Sequence, residues 1–175
     1  MSKLHILGEQ LGLKFRLSMA GDEAEIERLI EERFGNRNSY RVLDNIENRY
    51  FVAVNKEDEI VAMTGLNDSK FYNGLEIDWT CVHPAYTGHN LMALMIEYLL
   101  KDCKQDVYCS CWRFDGKPIN LRYAMQYNHF MPVLIPRITA DSRFNALCKE
   151  KCKQYNPVDG YCKCYEDLYC RRHKE

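Results

Sequence analysis

The stretch His83-Pro84-Ala85-Tyr86-Thr87-Gly88-His89-Asn90 is short and polar, and it runs directly into the strongly apolar Leu91 to Leu100. If the apolar run is a helix, the stretch before it delivers the helix amino terminus. Several backbone N–H groups lack acceptors there, and the dipole is positive. Those groups suit a phosphate, to which His89 could add a ring N–H. On these residues alone an ordinary strand-to-helix connection fits equally well. A second cluster lies near the carboxy terminus: Cys148, Cys152, Cys162 and Cys164, four thiols within seventeen residues. Four thiols can close a tetrahedral zinc site, with Cys170 and His173 in reserve. The turn residues 155–160 could bring the two pairs together. Metal would then supply folding free energy that a polar tail with few apolar residues lacks. Solvent-facing reduced thiols and a redox disulfide are the other readings of that spacing.

The elements that position these residues follow from periodicity. Leu75, Ile77, Trp79 and Cys81 alternate with Glu76, Asp78 and Thr80, the pattern of a strand with two distinct faces. Pro84 ends it, having no N–H for a ladder and holding His83 extended. Leu91, Leu94, Met95, Tyr98 and Leu99 recur at helical spacing, and Met92, Ile96 and Leu100 widen the stripe, so this helix is expected to be buried on most sides. Upstream, residues 1–12 have no clear assignment. Residues 13–18 read as a strand, Ala24 to Phe34 as a helix, and 36–48 as a loop with a short second helix. Residues 49–54 and 59–66 form a hairpin by turn chemistry. Downstream, Asp106 to Trp112 is a fifth strand, Ile119 to Asn128 a helix, and Met131 to Ile138 a last strand whose prolines place it at an edge.

The chain has 175 residues, enough for one domain with a real core, and a net charge of −1, which gives no basic field for nucleic acid. It shows no signal-like apolar run or membrane span. A cytoplasmic protein is expected. Nine cysteines are many for a compartment where thiols stay reduced, and this favours metal or redox chemistry over structural disulfides.

Val82-His83-Pro84-Ala85-Tyr86-Thr87-Gly88-His89-Asn90-Leu91-Met92 resembles the coenzyme A pyrophosphate loop of the GNAT superfamily of acetyl-coenzyme A-dependent N-acetyltransferases. Thr87 stands where that family has Arg or Gln, Asn90 where it has Gly, and Met92 where it has Gly or Ala. Asn120 to Phe130 resembles the family's later helix, which begins with Asn, carries a Tyr about two turns on and ends in Gly-Phe. Here Asn120 and Tyr127 keep the spacing, while His129-Phe130 replaces Gly-Phe.

The resemblance implies an α/β fold with a mixed, mostly antiparallel sheet of six to seven strands, spanning a domain of residues 1–140, with 141–175 as a Cys-rich appendage. It implies acetyl-coenzyme A as co-substrate, held by backbone groups of Thr80, Cys81 and Val82, by Thr87, Gly88, His89, Asn90, Leu91 and Met92, and by Asn120. It implies an amine acceptor attacking the thioester directly. Glu76 or Asp78, on one strand face, would take the amine's proton, directly or through water; a solvated polar face is the other reading of that pair. Tyr127, or Tyr123 in another register, would give a proton to the departing thiolate; both tyrosines also read as amphipathic core residues. Cys81 lies near the expected acetyl position, although a strand cysteine is usually core. The acceptor itself is not legible. A non-catalytic acyl-coenzyme A sensor on the same scaffold and an interaction protein working through its tail are the alternative functions.

Overall fold

The computed structural model describes residues 1–34, 46–69, 72–113, 121–133, 155–156, 161–162 and 165–173. Its frame is a seven-stranded sheet, built from β1 (Lys14–Leu17), β2 (Tyr50–Val54), β3 (Ile60–Asp68), β4 (Leu75–Val82), β5 (Val107–Arg113), β6 (Met131–Val133) and β9 (Tyr165–Arg171). The order across it is β1-β2-β3-β4-β5-β9-β6. Neighbours are antiparallel except β4 and β5, which are parallel. Two short strands, β7 (Tyr155–Asn156) and β8 (Tyr161–Cys162), pair separately. This is the mixed, mostly antiparallel sheet expected from the sequence.

Four described α-helices, α1 (Lys3–Leu11), α2 (Glu23–Phe34), α3 (Leu91–Leu100) and α4 (Arg122–Tyr127), cover the sheet. On one face α2 sets Ile26, Leu29 and Ile30 against Val52, Val54, Ile60, Met63 and Cys81. On the other, α1 and α3 set Leu4, Leu91 and Met95 against Phe51, Ala53, Val61 and Ala62. Further along that second face, Ile96 and Leu100 of α3 and Ala124 and Met125 of α4 cover Ile77, Val107, Cys109, Cys111 and Tyr169. No described helix is long and apolar enough to cross a membrane.

Three sequence expectations change. The first twelve residues contain a capped helix: Ser2 accepts from the His5 N–H at its start, and Gly12, at φ 67°, closes its end in the left-handed region. The strand expected from Met131 to Ile138 is described over Met131–Val133 and does lie at the sheet edge, but it is not the last strand. That is β9, from the stretch expected to be an appendage; it enters the sheet between β5 and β6 and buries Leu168, Tyr169 and Cys170. Finally, the two-residue alternation does not run through β4. Ile77 faces α3 and α4, whereas Trp79 and Cys81 pack on the α2 side. A bulge is the cause: the register slips between Met63 and Gly65, and Trp79 takes φ 42°. The short second helix expected within 36–48 falls largely on 35–45, outside the described residues.

Candidate functional site

Two features of β4 make a site. Its parallel pairing with β5 stops at Ile77 opposite Cys109, yet β4 continues to Val82 and β5 to Arg113. Above that vertex the strands part, and no described strand pairs with residues 80–82 on the β5 side. The stretch from Ile77 to Val82 is roughly 16 Å long at the usual rise per residue. An extended ligand carrying amides could add there as a strand would.

The upper end of the fork opens on the loop that starts α3. Pro84–Tyr86 form a short 3-10 turn, capped by His83 Nδ1, which accepts from the Ala85 N–H at 3.2 Å. Gly88 and Asn90 both take positive φ, 86° and 59°, and turn the chain into the helix. The first helical bond is Leu94 N–H to Asn90 O, and Asn90 places no side-chain cap on the end. The N–H groups of Leu91, Met92 and Ala93 therefore point out of the helix without intrahelical acceptors. A Cβ on Gly88 would meet nothing within 4 Å, so the approach is open. Of the expected ligands, Gly88, His89 and Asn90 are exposed at this mouth, and Leu91 and Met92 offer backbone while their side chains pack inward. Thr87 is committed elsewhere, its hydroxyl donating to Pro84 O at 2.8 Å. Thr80 shares a 2.9 Å hydroxyl contact with the buried Thr64. The Cys81 side chain is core, with burial pushing its thiol up to about 12, which leaves only its backbone for the fork and removes it as a nucleophile.

At the vertex the two sheet faces differ. Glu76 and Asp78 share the α2 face. Ser69 Oγ donates to Glu76 Oε2 at 2.9 Å, and Ser110 also hydrogen-bonds this carboxylate. Burial, partly opposed by Ser69 and reinforced by the charge of Asp78, raises the Glu76 carboxyl above its ordinary value. Asp78 is instead paired with Arg49, Nη2 to Oδ2 at 3.2 Å. Beside Glu76, the Tyr72 ring stacks on that of Tyr108, centroids 4.6 Å apart, and Tyr108 is the cross-strand neighbour of Glu76. A partly buried carboxylate against aromatic rings suits a cationic group such as an ammonium. On the opposite face, Cys109 and Cys111 stand with sulfurs 3.7 Å apart, under Ala124 and Met125 of α4. In the sequence the pair falls on one face of the fifth strand, where packing is the default reading. Only the parting of the strands makes the position significant, and no local pattern encodes that.

The structure does not bring Tyr127 to the fork. It ends α4 beside Glu97, Leu100, Lys101 and Arg171, around a shallow cavity of about 230 Å³. Arg171 pairs with Val107, the first residue of β5, so this cavity lies at the closed end of the strand pair. Its hydroxyl accepts from Lys3 Nζ of α1 at 3.4 Å. Tyr123, with its ring centroid 6.2 Å from that of Tyr127, is more than half exposed. Asn120 lies outside the described residues, as do Cys148, Cys152 and Cys164; Cys162 is described only as backbone of β8. Cys170, expected in reserve for a metal, is buried in β9, and the backbone N–H of His173 donates to Asp106 at 2.9 Å. Among the described residues no three His, Cys, Asp or Glu side chains gather as a metal site would require.

Residues 20–119 match the model of the acetyltransferase (GNAT) family. No curated protein matches the sequence. Among solved structures, the chain is similar to a GNAT-family acetyltransferase of Bacillus cereus, with TM-score 0.62 and 11% identity over 93% of this chain and 99% of that one. It is similar to Arabidopsis thaliana NAA60 in complex with a bisubstrate analogue, with TM-score 0.62 and 13% identity over 91% and 97%. It also resembles N-acetylglutamate synthase of Neisseria gonorrhoeae complexed with coenzyme A and N-acetyl-glutamate, with TM-score 0.58 and 10% identity over 93% of this chain and 35% of that one. At these identities the likeness is one of fold.

Proposed function

The chain belongs to the GNAT family of acetyltransferases, and from that premise we propose that it moves an acetyl group from acetyl-coenzyme A to a primary amine by direct attack within a ternary complex. One observation carries the reading: the fork between β4 and β5 leads from the uncapped mouth of α3 down to the Glu76 carboxylate. The diphosphate would sit on the N–H groups of residues 88–93, and the pantetheine amides would pair with the β4 backbone of residues 80–82. The thioester then arrives at the vertex, level with Ile77 and Cys109.

The acceptor approaches on the α2 face. An alkylammonium has a reference pKa of roughly 10.4, so it must lose a proton before attack. Glu76 is the base, because its raised carboxyl is better matched to that task than Asp78, whose charge is spent on Arg49. The neutral amine adds to the carbonyl carbon, and the C–S bond then breaks.

Calorimetry with coenzyme A and thiol release from acetyl-coenzyme A over a panel of amines test this reading. The expected outcome is saturable binding and amine-dependent release. Binding without release over the whole panel would favour a coenzyme A sensor, and no binding at millimolar coenzyme A would remove the proposal.

A further inference from the structure

We propose that Cys111 is the proton donor to the sulfur that leaves as the thioester breaks, with Cys109 supporting its thiolate. The inference rests on the fork holding the thioester as described above, and it concerns the face opposite Glu76. Cys109 is the last β5 residue paired with β4, and Cys111 is the next on the same face, at the base of the opening. A thioester reaching the vertex therefore has the Glu76 carboxylate on one side of the sheet and two thiols on the other. The helix above them offers no alternative acid: α4 turns Ala124 and Met125 inward, and neither carries a labile proton. The tyrosines of that helix face away, Tyr127 towards Lys3 and Tyr123 towards solvent.

The chemistry is balanced. Glu76 first passes the ammonium proton to water; the neutral amine nitrogen then forms a bond to the carbonyl carbon, and the excess proton on that nitrogen passes to Glu76. As the tetrahedral adduct collapses, the C–S electron pair goes to sulfur, which takes the proton from Cys111 S–H. The transfer runs from one thiol to another, Cys111 S–H to the departing sulfur. The resulting Cys111 thiolate lies 3.7 Å from Cys109 Sγ, whose S–H can donate to it. Cys109 is suited to that part, since its contact with Cys111 and its burial keep it protonated. On product release Glu76 sheds its proton to water and Cys111 takes one back, so the enzyme is restored and the one proton released overall is that of the ammonium.

Cys111→Ala and Cys111→Ser, each checked for fold by circular dichroism, should lose about 10²-fold in kcat, while the Kd for coenzyme A stays within twofold of the wild type. Tyr127→Phe should keep kcat within twofold. The proposal fails if Cys111→Ala retains kcat within threefold. It also fails if rapid-quench mass spectrometry finds an acetyl group on Cys111, because the thiol would then be a nucleophile. Should Cys111→Ala unfold, the near-isosteric Cys111→Ser decides, and activity close to wild type in that variant overturns the assignment. Wild-type protein that binds no coenzyme A would overturn the fork reading as well, an outcome separable from a bound but unprotonated donor.

Discussion

Glu76 and Asp78 occupy one strand face two residues apart, yet their surroundings give them different work. Asp78 is neutralised by Arg49, whereas among the described residues Glu76 is hydrogen-bonded by the hydroxyls of Ser69 and Ser110 and pays for its burial with a raised pKa. A raised carboxyl means that the folded chain holds this proton more tightly than the unfolded chain. Its contribution to stability is therefore fully present below the ordinary carboxyl value of 4.5 and is lost as pH rises through the higher folded value. Glu76→Gln removes that cost. It should raise Tm at pH 8 by about 2–4 °C for each kcal/mol recovered, with the gain vanishing towards pH 4, while kcat/KM drops about 10²-fold. Scanning calorimetry at the two pH values and steady-state kinetics check both halves. A lower Tm at pH 8 with activity intact would mark Glu76 as structural. Asp78→Asn takes away a negative neighbour, so the Glu76 carboxyl should fall and the acidic limb of the kcat/KM profile should move to lower pH.

Among the elements, the loop that starts α3 shows best what local sequence can and cannot say. Its position between a Pro-terminated strand and an apolar helix is legible, because both periodicities change within a few residues. The residue that bends it was equally readable: Asn90 stands where the resembled family has Gly, and it takes the left-handed conformation that Asn tolerates better than most residues. Asn90→Gly should accordingly leave stability within about 0.5 kcal/mol, while Asn90→Val, β-branched at φ 59°, should cost about 1–3 kcal/mol and weaken coenzyme A binding. Urea unfolding and calorimetry separate the two variants, and equal behaviour would mean that the turn is not held by this residue. Other features were hidden for physical reasons. Nine-residue α1 is too short to be stable on propensity alone and exists because Leu4 and Gly8 dock on the sheet; a Cβ at Gly8 would lie 2.6 Å from the Phe15 ring. The β4 bulge depends on how β3 pairs with its neighbour, so alternation along β4 by itself reads straight through Trp79.

For the molecule as a whole, the decisive fact is that chain order and spatial order disagree at the carboxy-terminal side of the sheet. β9 is the last strand in sequence, but it sits between β5 and the edge strand β6. Strands up to β5 follow one another as neighbours, which is why their succession could be read from periodicity and turns. A strand that returns from far along the chain leaves no such trace, and the cysteine spacing of the tail reads as metal ligation rather than as a strand over 165–171. Its pairing is extensive: seven residues against β5, from Val107–Arg171 to Arg113–Tyr165, and three against β6. Without β9, β6 would lose the one partner it has among the described strands, and the edge of β5 would stand open beside the fork. A chain ending at residue 140 should therefore fail to reach the native state, giving a broadened thermal transition, exposed thiols at Cys109 and Cys111, and aggregation through the open edge. Circular dichroism, thiol titration and size-exclusion chromatography read those three consequences. If the shortened chain stayed monomeric, kept a sharp transition and still bound coenzyme A, β9 would be dispensable and the fork would be built by β4 and β5 alone.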